Sequence, residues 1–361
     1  MPAEPVATAG ASAHLLLLGT KKGVFIGRSD DGRASWSFTG PHCAGTWSFC
    51  DVRYEDSSGA IVAGGQSNWY GPAVWRSEDL GQTWTHSSEG MVYVDGPSIE
   101  QIWCVQPVNG FLYAGVDPAG LFRSEDAGRT WQEIRALRRH PSSAGWRPTN
   151  GGIPLHAILP QAQDGALVDG AMAVAVSSGG VYRTVDAGET WQPAGAAGDA
   201  CVHALVADAG GALYQQNHTG VWRSDDAGDS WTDVSAGLPS RFGFPLAAHP
   251  RDPGTVYAVP LEGAAEGQRR MPGGRMAVWR TRNRAETWEP LTRGLPAGPT
   301  HLTVLRGGLA VDRCEPAGVF AGTPTGFLFG SVDEGETWFD VARGLPPIYS
   351  VACASVGSVA L

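Results

Sequence analysis

Charge is scarce in this chain. Only 17% of its 361 residues are Asp, Glu, Lys or Arg, and the acidic ones outnumber the basic ones 36 to 26. A net charge of −10 works against a dedicated nucleic-acid or membrane-surface protein, since both partners repel an acidic body. No apolar run approaches the roughly 20 residues that a membrane helix needs. The run His14 to Leu18 has no basic region before it and is too short for a secretory signal core. The six cysteines (Cys43, Cys50, Cys104, Cys201, Cys314 and Cys353) form no C-x-x-C pair and no short secreted-domain pattern. They are expected to be buried free thiols rather than disulfides or metal ligands, which fits a reducing, cytoplasmic location.

Glycine and tryptophan are plentiful, with 50 and 14 copies. Both belong to a recurring eight-residue phrase, cleanest as SEDAGRTW at Ser124 to Trp131. It returns as SEDLGQTW (Ser77 to Trp84), TVDAGETW (Thr184 to Trp191), SDDAGDSW (Ser224 to Trp231) and SVDEGETW (Ser331 to Trp338). Two worn copies are TRNRAETW (Thr281 to Trp288), with Asn283 and Ala285 in place of Asp and Gly, and SDDGRASW (Ser29 to Trp36), whose glycine sits one place early. A carboxylate such as Asp126 can accept hydrogen bonds from N–H groups of its own turn, and Gly128 can take a positive φ without a steric penalty. An alternating apolar run precedes each copy, so each phrase caps a β-hairpin, and its Trp is placed to pack between neighbouring units. A period of about 50 residues points to one closed repeat array.

The phrase resembles the Asp-box, or BNR, repeat S-x-D-x-G-x-T-W of sialidase-like β-propellers, sortilin-type receptors and photosystem II assembly factors. The match covers nearly the whole chain. The resemblance implies an all-β, seven-bladed propeller with four-stranded antiparallel blades, and it implies little about chemistry, because the box recurs in proteins with unrelated activities. Sialidases need three arginines, a Tyr–Glu pair, an Asp acid/base and an early Arg-Ile-Pro. Here no arginine precedes Arg28, which abuts the first box. True sialidase activity is therefore not expected.

Innermost strands are expected at Ser48 to Glu55, Glu100 to Pro107, Leu155 to Gln161, Cys201 to Asp208, Phe244 to Pro250 and His301 to Gly308. A seventh, Ile348 to Val356, follows the last box, whereas the first blade lacks one. The C-terminal strand should therefore complete the N-terminal blade and close the ring. Residues 1 to 13 read as a disordered tail and 14 to 361 as a single propeller.

Candidate site residues fall on the loops opposite the boxes, around the channel mouth. The overlong link Glu133 to Leu155 contributes Trp146, Arg147 and Asn150, with His156 just beyond it. Loop residues Asn68, Trp69 and Tyr70, then Asn217, His218 and Arg241, join them, and Glu100 precedes an inner strand. Arginines there suit a carboxylate, sulfate or phosphate, with Arg147 as the anion contact. His156, His203, Glu100 and Tyr70 are the acid, base or catalytic candidates. Convergence of His156, His203 and His301 on the axis would suit a divalent metal, yet no motif of metal-ligand spacing is present and no cofactor is expected. The functional reading is a monomer that binds a small anionic or carbohydrate ligand at the mouth, hydrolysing or eliminating it if catalytic. A non-catalytic peptide-binding or assembly propeller is the alternative.

Overall fold

A computed structural model describes residues 13–149, 151–163, 166–262 and 269–357. Its strands form seven four-stranded antiparallel sheets arranged in sequence order. The innermost strands are Trp47–Glu55, Gln101–Val108, Leu155–Gln163, Ala204–Ala207, Gly243–Ala248 and Leu309–Val311 in blades two to seven. In blade one that place belongs to Ile348–Val356, which pairs antiparallel with Ala13–Thr20. The first and last of the described strands thus lie in one sheet, and the ring closes without a free inner edge. Ala13 already begins a strand, while residues 1 to 12 lie outside the described residues.

The recurring phrase builds the same turn each time. At Asp126, one carboxylate oxygen accepts from the backbone N–H groups of Arg129 (3.0 Å) and Thr130 (2.9 Å), and the other from the Thr130 hydroxyl (2.7 Å). Ser124 Oγ accepts from Gly128 N–H at 2.8 Å. Two successive residues turn left-handed to bring these donors inward, Ala127 (φ 61°) and Gly128 (φ 86°). The worn copies keep the device: Asn283 Oδ1 accepts from Thr287 N–H at 3.0 Å, and Arg284 and Ala285 take φ of 61° and 65°. In the first copy Arg33 stands at the glycine position with φ 76°, and its buried guanidinium pairs with Asp312 of blade seven at 2.9 Å.

The box tryptophans tie the blades together. Trp131 packs with Val62 and Val74 of blade two as well as with its own blade, and Trp191 packs in a cluster shared by blades three and four. Burying one such ring contributes on the order of 3 kcal/mol.

Two inner strands differ from their expected spans. In blade five the strand starts at Ala204, leaving Cys201 and His203 on the approach at the mouth. In blade seven the run His301 to Gly308 is not a strand, because Gly308 N–H turns back to Leu305 O (2.8 Å) and the strand itself begins only at Leu309. The long link also differs from a loop: it folds into a helical turn, Arg135–Arg138, and a 3-10 turn, Pro141–Gly145, pinned by the buried Leu137.

Candidate functional site

The inner strands enclose a central channel with a cavity of about 950 Å³, lined by residues of all seven blades. Its wall carries five cations (Lys21, Arg53, Arg269, Arg306 and Arg313) and three carboxylates (Asp51, Asp56 and Asp312). Each carboxylate is already matched: Asp51 by Arg53 at 3.2 Å, Asp56 by Arg313 at 3.1 Å, and Asp312 by Arg33. Lys21, Arg269 and Arg306 have no ion-pair partner among the described residues. A chain that is acidic overall therefore lines its channel with excess positive charge.

Arg306 is the centre of this arrangement. The turn at residues 305 to 308 puts its guanidinium between two rings, 5.4 Å from the Trp103 centroid and 5.2 Å from that of Phe244. Arg269 approaches the same Phe244 ring at 4.6 Å. Aromatic faces hold a cation in place without neutralising it. Arg306 Nε is buried and has no hydrogen-bond partner among the described residues, an arrangement that costs free energy unless something accepts from it. Burial, reinforced by the charge of Arg269, pulls Arg306 down to about 10, so it stays protonated at neutral pH.

Two of the expected histidines share this wall. His156 donates from Nε2 to Val202 O at 2.5 Å, and burial together with the Arg306 charge lowers its pKa to about 3. His203 Nδ1 bonds Gly243 O at 2.6 Å, and the same two causes bring it to about 2. Both imidazoles are neutral near pH 7. His301 is exposed and lies outside the cavity, so the three rings do not converge.

The remaining sequence candidates are dispersed. Arg147 also lies outside the channel lining, and its guanidinium is taken by carbonyls of its own turn, Ala144 O (2.7 Å) and Trp146 O (2.8 Å). Trp146 anchors the link, donating to Tyr182 Oη at 2.9 Å. Asn150 lies outside the described residues. Asn217 is wholly buried and holds the neighbouring loop through Ala197 O (2.6 Å) and Asp199 O (3.1 Å). Arg241 pairs with Asp233 and Thr219 O, and Glu100 is exposed away from the cavity. Asn68 lines the channel, whereas Trp69 and Tyr70 stand 80% and 75% exposed on the next positions of the same loop. Arg306, Trp103 and Phe244 were missed as site residues. The available signal was an arginine in a run that should face the axis.

No helix among the described residues is long and apolar enough to cross a membrane. No protein-family model matches the chain, and no curated protein matches it in sequence. Solved structures do match its fold. YCF48 bound to D1 peptide aligns with a TM-score of 0.58 at 17% identity, covering 82% of this chain and 81% of that one. The GH74 xyloglucanase from Xanthomonas campestris aligns at 0.62 and 16% identity, covering 94% of this chain, which spans only 56% of the enzyme. The WD40 β-propeller domain of Doa1 aligns at 0.53 and 10% identity over 89% of this chain. At these identities the likeness establishes the fold, an all-β seven-bladed propeller, and the same fold serves an enzyme and a peptide-bound protein alike.

Proposed function

We propose that this protein is a binding propeller whose central channel takes a ligand carrying a carboxylate, sulfate or phosphate group. The observation that carries this reading is Arg306: a protonated guanidinium fixed between Trp103 and Phe244, with an orphaned Nε and no carboxylate partner among the described residues. Arg269 and Lys21 add charge around the same space, and Asn68 and Gln66 supply neutral hydrogen-bonding groups. Binding is favoured over turnover because the channel imidazoles are poor general bases at neutral pH, with pKa values of about 3 and 2.

The S-x-D-x-G-x-T-W turns support placing the chain among Asp-box propellers, and its six free cysteines suit a reducing compartment. A peptide as bearer of the anionic group is favoured by the exposed Trp69 and Tyr70 beside the channel, since such side chains supply contact area at little entropic penalty. The likeness to YCF48 bound to D1 peptide is compatible with that choice.

Titration calorimetry of phosphate, sulfate, a uronate and an acidic peptide tests the reading. The wild type should bind at least one of them, and Arg306→Gln should weaken that binding 10-fold or more. Absence of binding throughout the panel, or equal affinity in the variant, would remove Arg306 as an anion site.

A further inference from the structure

Where blade five begins, the chain reads Asp199-Ala200-Cys201-Val202-His203, and the hairpin beside it presents His218. Ligand atoms of Cys201, His203 and His218 all lie within 4.8 Å of one another. Cys201 Sγ and His203 Nε2 are 3.7 Å apart. A tetrahedral zinc ion, with Zn–S of about 2.3 Å and Zn–N of about 2.0–2.1 Å, needs a sulfur-to-nitrogen separation of about 3.6 Å. That pair is already at ligand spacing, and a ligand nitrogen of the exposed His218 lies within 4.8 Å of both.

The surroundings are those of a ligand set rather than of three chance neighbours. His203 Nδ1 bonds Gly243 O at 2.6 Å, and His218 Nδ1 bonds Asp199 Oδ2 at 2.9 Å. The His203 bond occupies the nitrogen remote from Cys201 and leaves Nε2 as a lone-pair donor, and the Asp199 bond holds the His218 ring, the arrangement that orients histidines on metals. Asp199 is itself held, because its Oδ1 accepts from Cys201 N–H at 2.7 Å. Asn217 fixes the loop by binding Ala197 O and Asp199 O. Phe242 and Phe244 pack on the imidazoles, with ring centroids 4.6 Å apart for His203 and Phe244 and 5.7 Å apart for His218 and Phe242. Against them the rings cannot turn freely.

We infer that Cys201, His203 and His218 form a site for a zinc-type divalent cation. One thiolate and two neutral imidazoles select a borderline-soft ion over magnesium or calcium. Three protein ligands leave a fourth position open, and the His218 side chain, 42% exposed, gives the buried Cys201 and His203 a route to solvent. The thiolate cancels one of the ion's two charges, which lessens its repulsion with Arg306 on the same wall. This donor set differs from the axial trio of His156, His203 and His301 suggested by the sequence, and it does not depend on the anion reading.

Cobalt(II) is the probe. Titrated into the reduced protein under anaerobic conditions, it should bind at one equivalent with a thiolate-to-cobalt charge-transfer band and intense tetrahedral d–d bands, both lost on adding Zn2+. Cys201→Ser should abolish the charge-transfer band, and His218→Gln should weaken binding at least 10-fold. Cys43→Ser should leave the spectrum unchanged. His218 is exposed, so its variant keeps the test alive if the Cys201 variant fails to fold. No stoichiometric cobalt binding, a charge-transfer band that survives Cys201→Ser, or wild-type affinity in His218→Gln would overturn the assignment.

Discussion

The box turns and the channel wall treat charge in opposite ways. At the turns each carboxylate is surrounded by short-range donors: hydrogen bonds from the box Thr, Ser and backbone hold Asp79, Asp126 and Asp186 at about 2. In the channel Arg306 has aromatic faces for neighbours and, among the described residues, no acceptor for its Nε. The turn carboxylates are already engaged, and the channel guanidinium has an unmet requirement. Polar groups that satisfy one another build scaffold, while those held unsatisfied point to a partner from outside.

Removing residues after Leu345 deletes Ile348–Val356 and exposes the strand Ala13–Thr20, with Leu16 and Leu18 losing their packing against Ile348 and Val351. The cooperative melt should disappear, or the protein should associate through the open edge, as read by calorimetry and size-exclusion chromatography. A monomer with an unchanged Tm would show that the ring does not need its closure.

Next in size is the single box. Asp126→Ala strands the N–H groups of Arg129 and Thr130 at a partly exposed turn, so about 1–2 kcal/mol of stability should be lost in urea titration. Asp126→Asn should lose less, because Asn283 already serves the same turn in blade six.

A third test is one of pH, and its direction follows from the two sets of groups. The channel histidines have folded pKa values below the unfolded 6.5, at about 3 for His156 and about 2 for His203. The unfolded chain therefore takes up protons first, and stability falls as pH drops below about 6.5. The box carboxylates, lowered from 3.8 to about 2, contribute stability above their unfolded pKa and lose it only as pH falls from about 4 toward 2. His156→Gln should flatten the decline between pH 6.5 and 4 while leaving the steeper limb below pH 4 in place, measured as Tm against pH. An unchanged upper limb would mean that His156 is solvated in the folded protein.

These two regions also differ in how far they could be read beforehand. A box is a local device: Ser124, Asp126, Gly128 and Thr130 contact one another within a few residues, so spacing alone specifies the turn. The closing strand was legible for a related reason, since one surplus apolar run and one missing one must pair. Arg306 was not legible. Its role depends on a turn at Gly307 and Gly308 that interrupts an apparently extended run, and on rings brought from blades three and six. Arg147 misled for the converse reason. The features that marked it, an overlong link with a tryptophan and unbalanced charge, describe a loop that satisfies itself, through Ala144 O, Trp146 O and the bond from Trp146 to Tyr182. Cys201 read as a buried thiol, and only the hairpin that places His218 beside it gives it partners.

The central claim, that the turns are scaffold and the channel is the site, is tested most directly by measuring anion affinity and stability together in Asp126→Ala and Arg306→Gln. The account predicts that Asp126→Ala melts earlier and binds the anion like the wild type, whereas Arg306→Gln keeps its Tm and loses affinity by 10-fold or more. Retained affinity in Arg306→Gln together with lost affinity in a fully folded Asp126→Ala would contradict it and move the site to the face that carries the boxes.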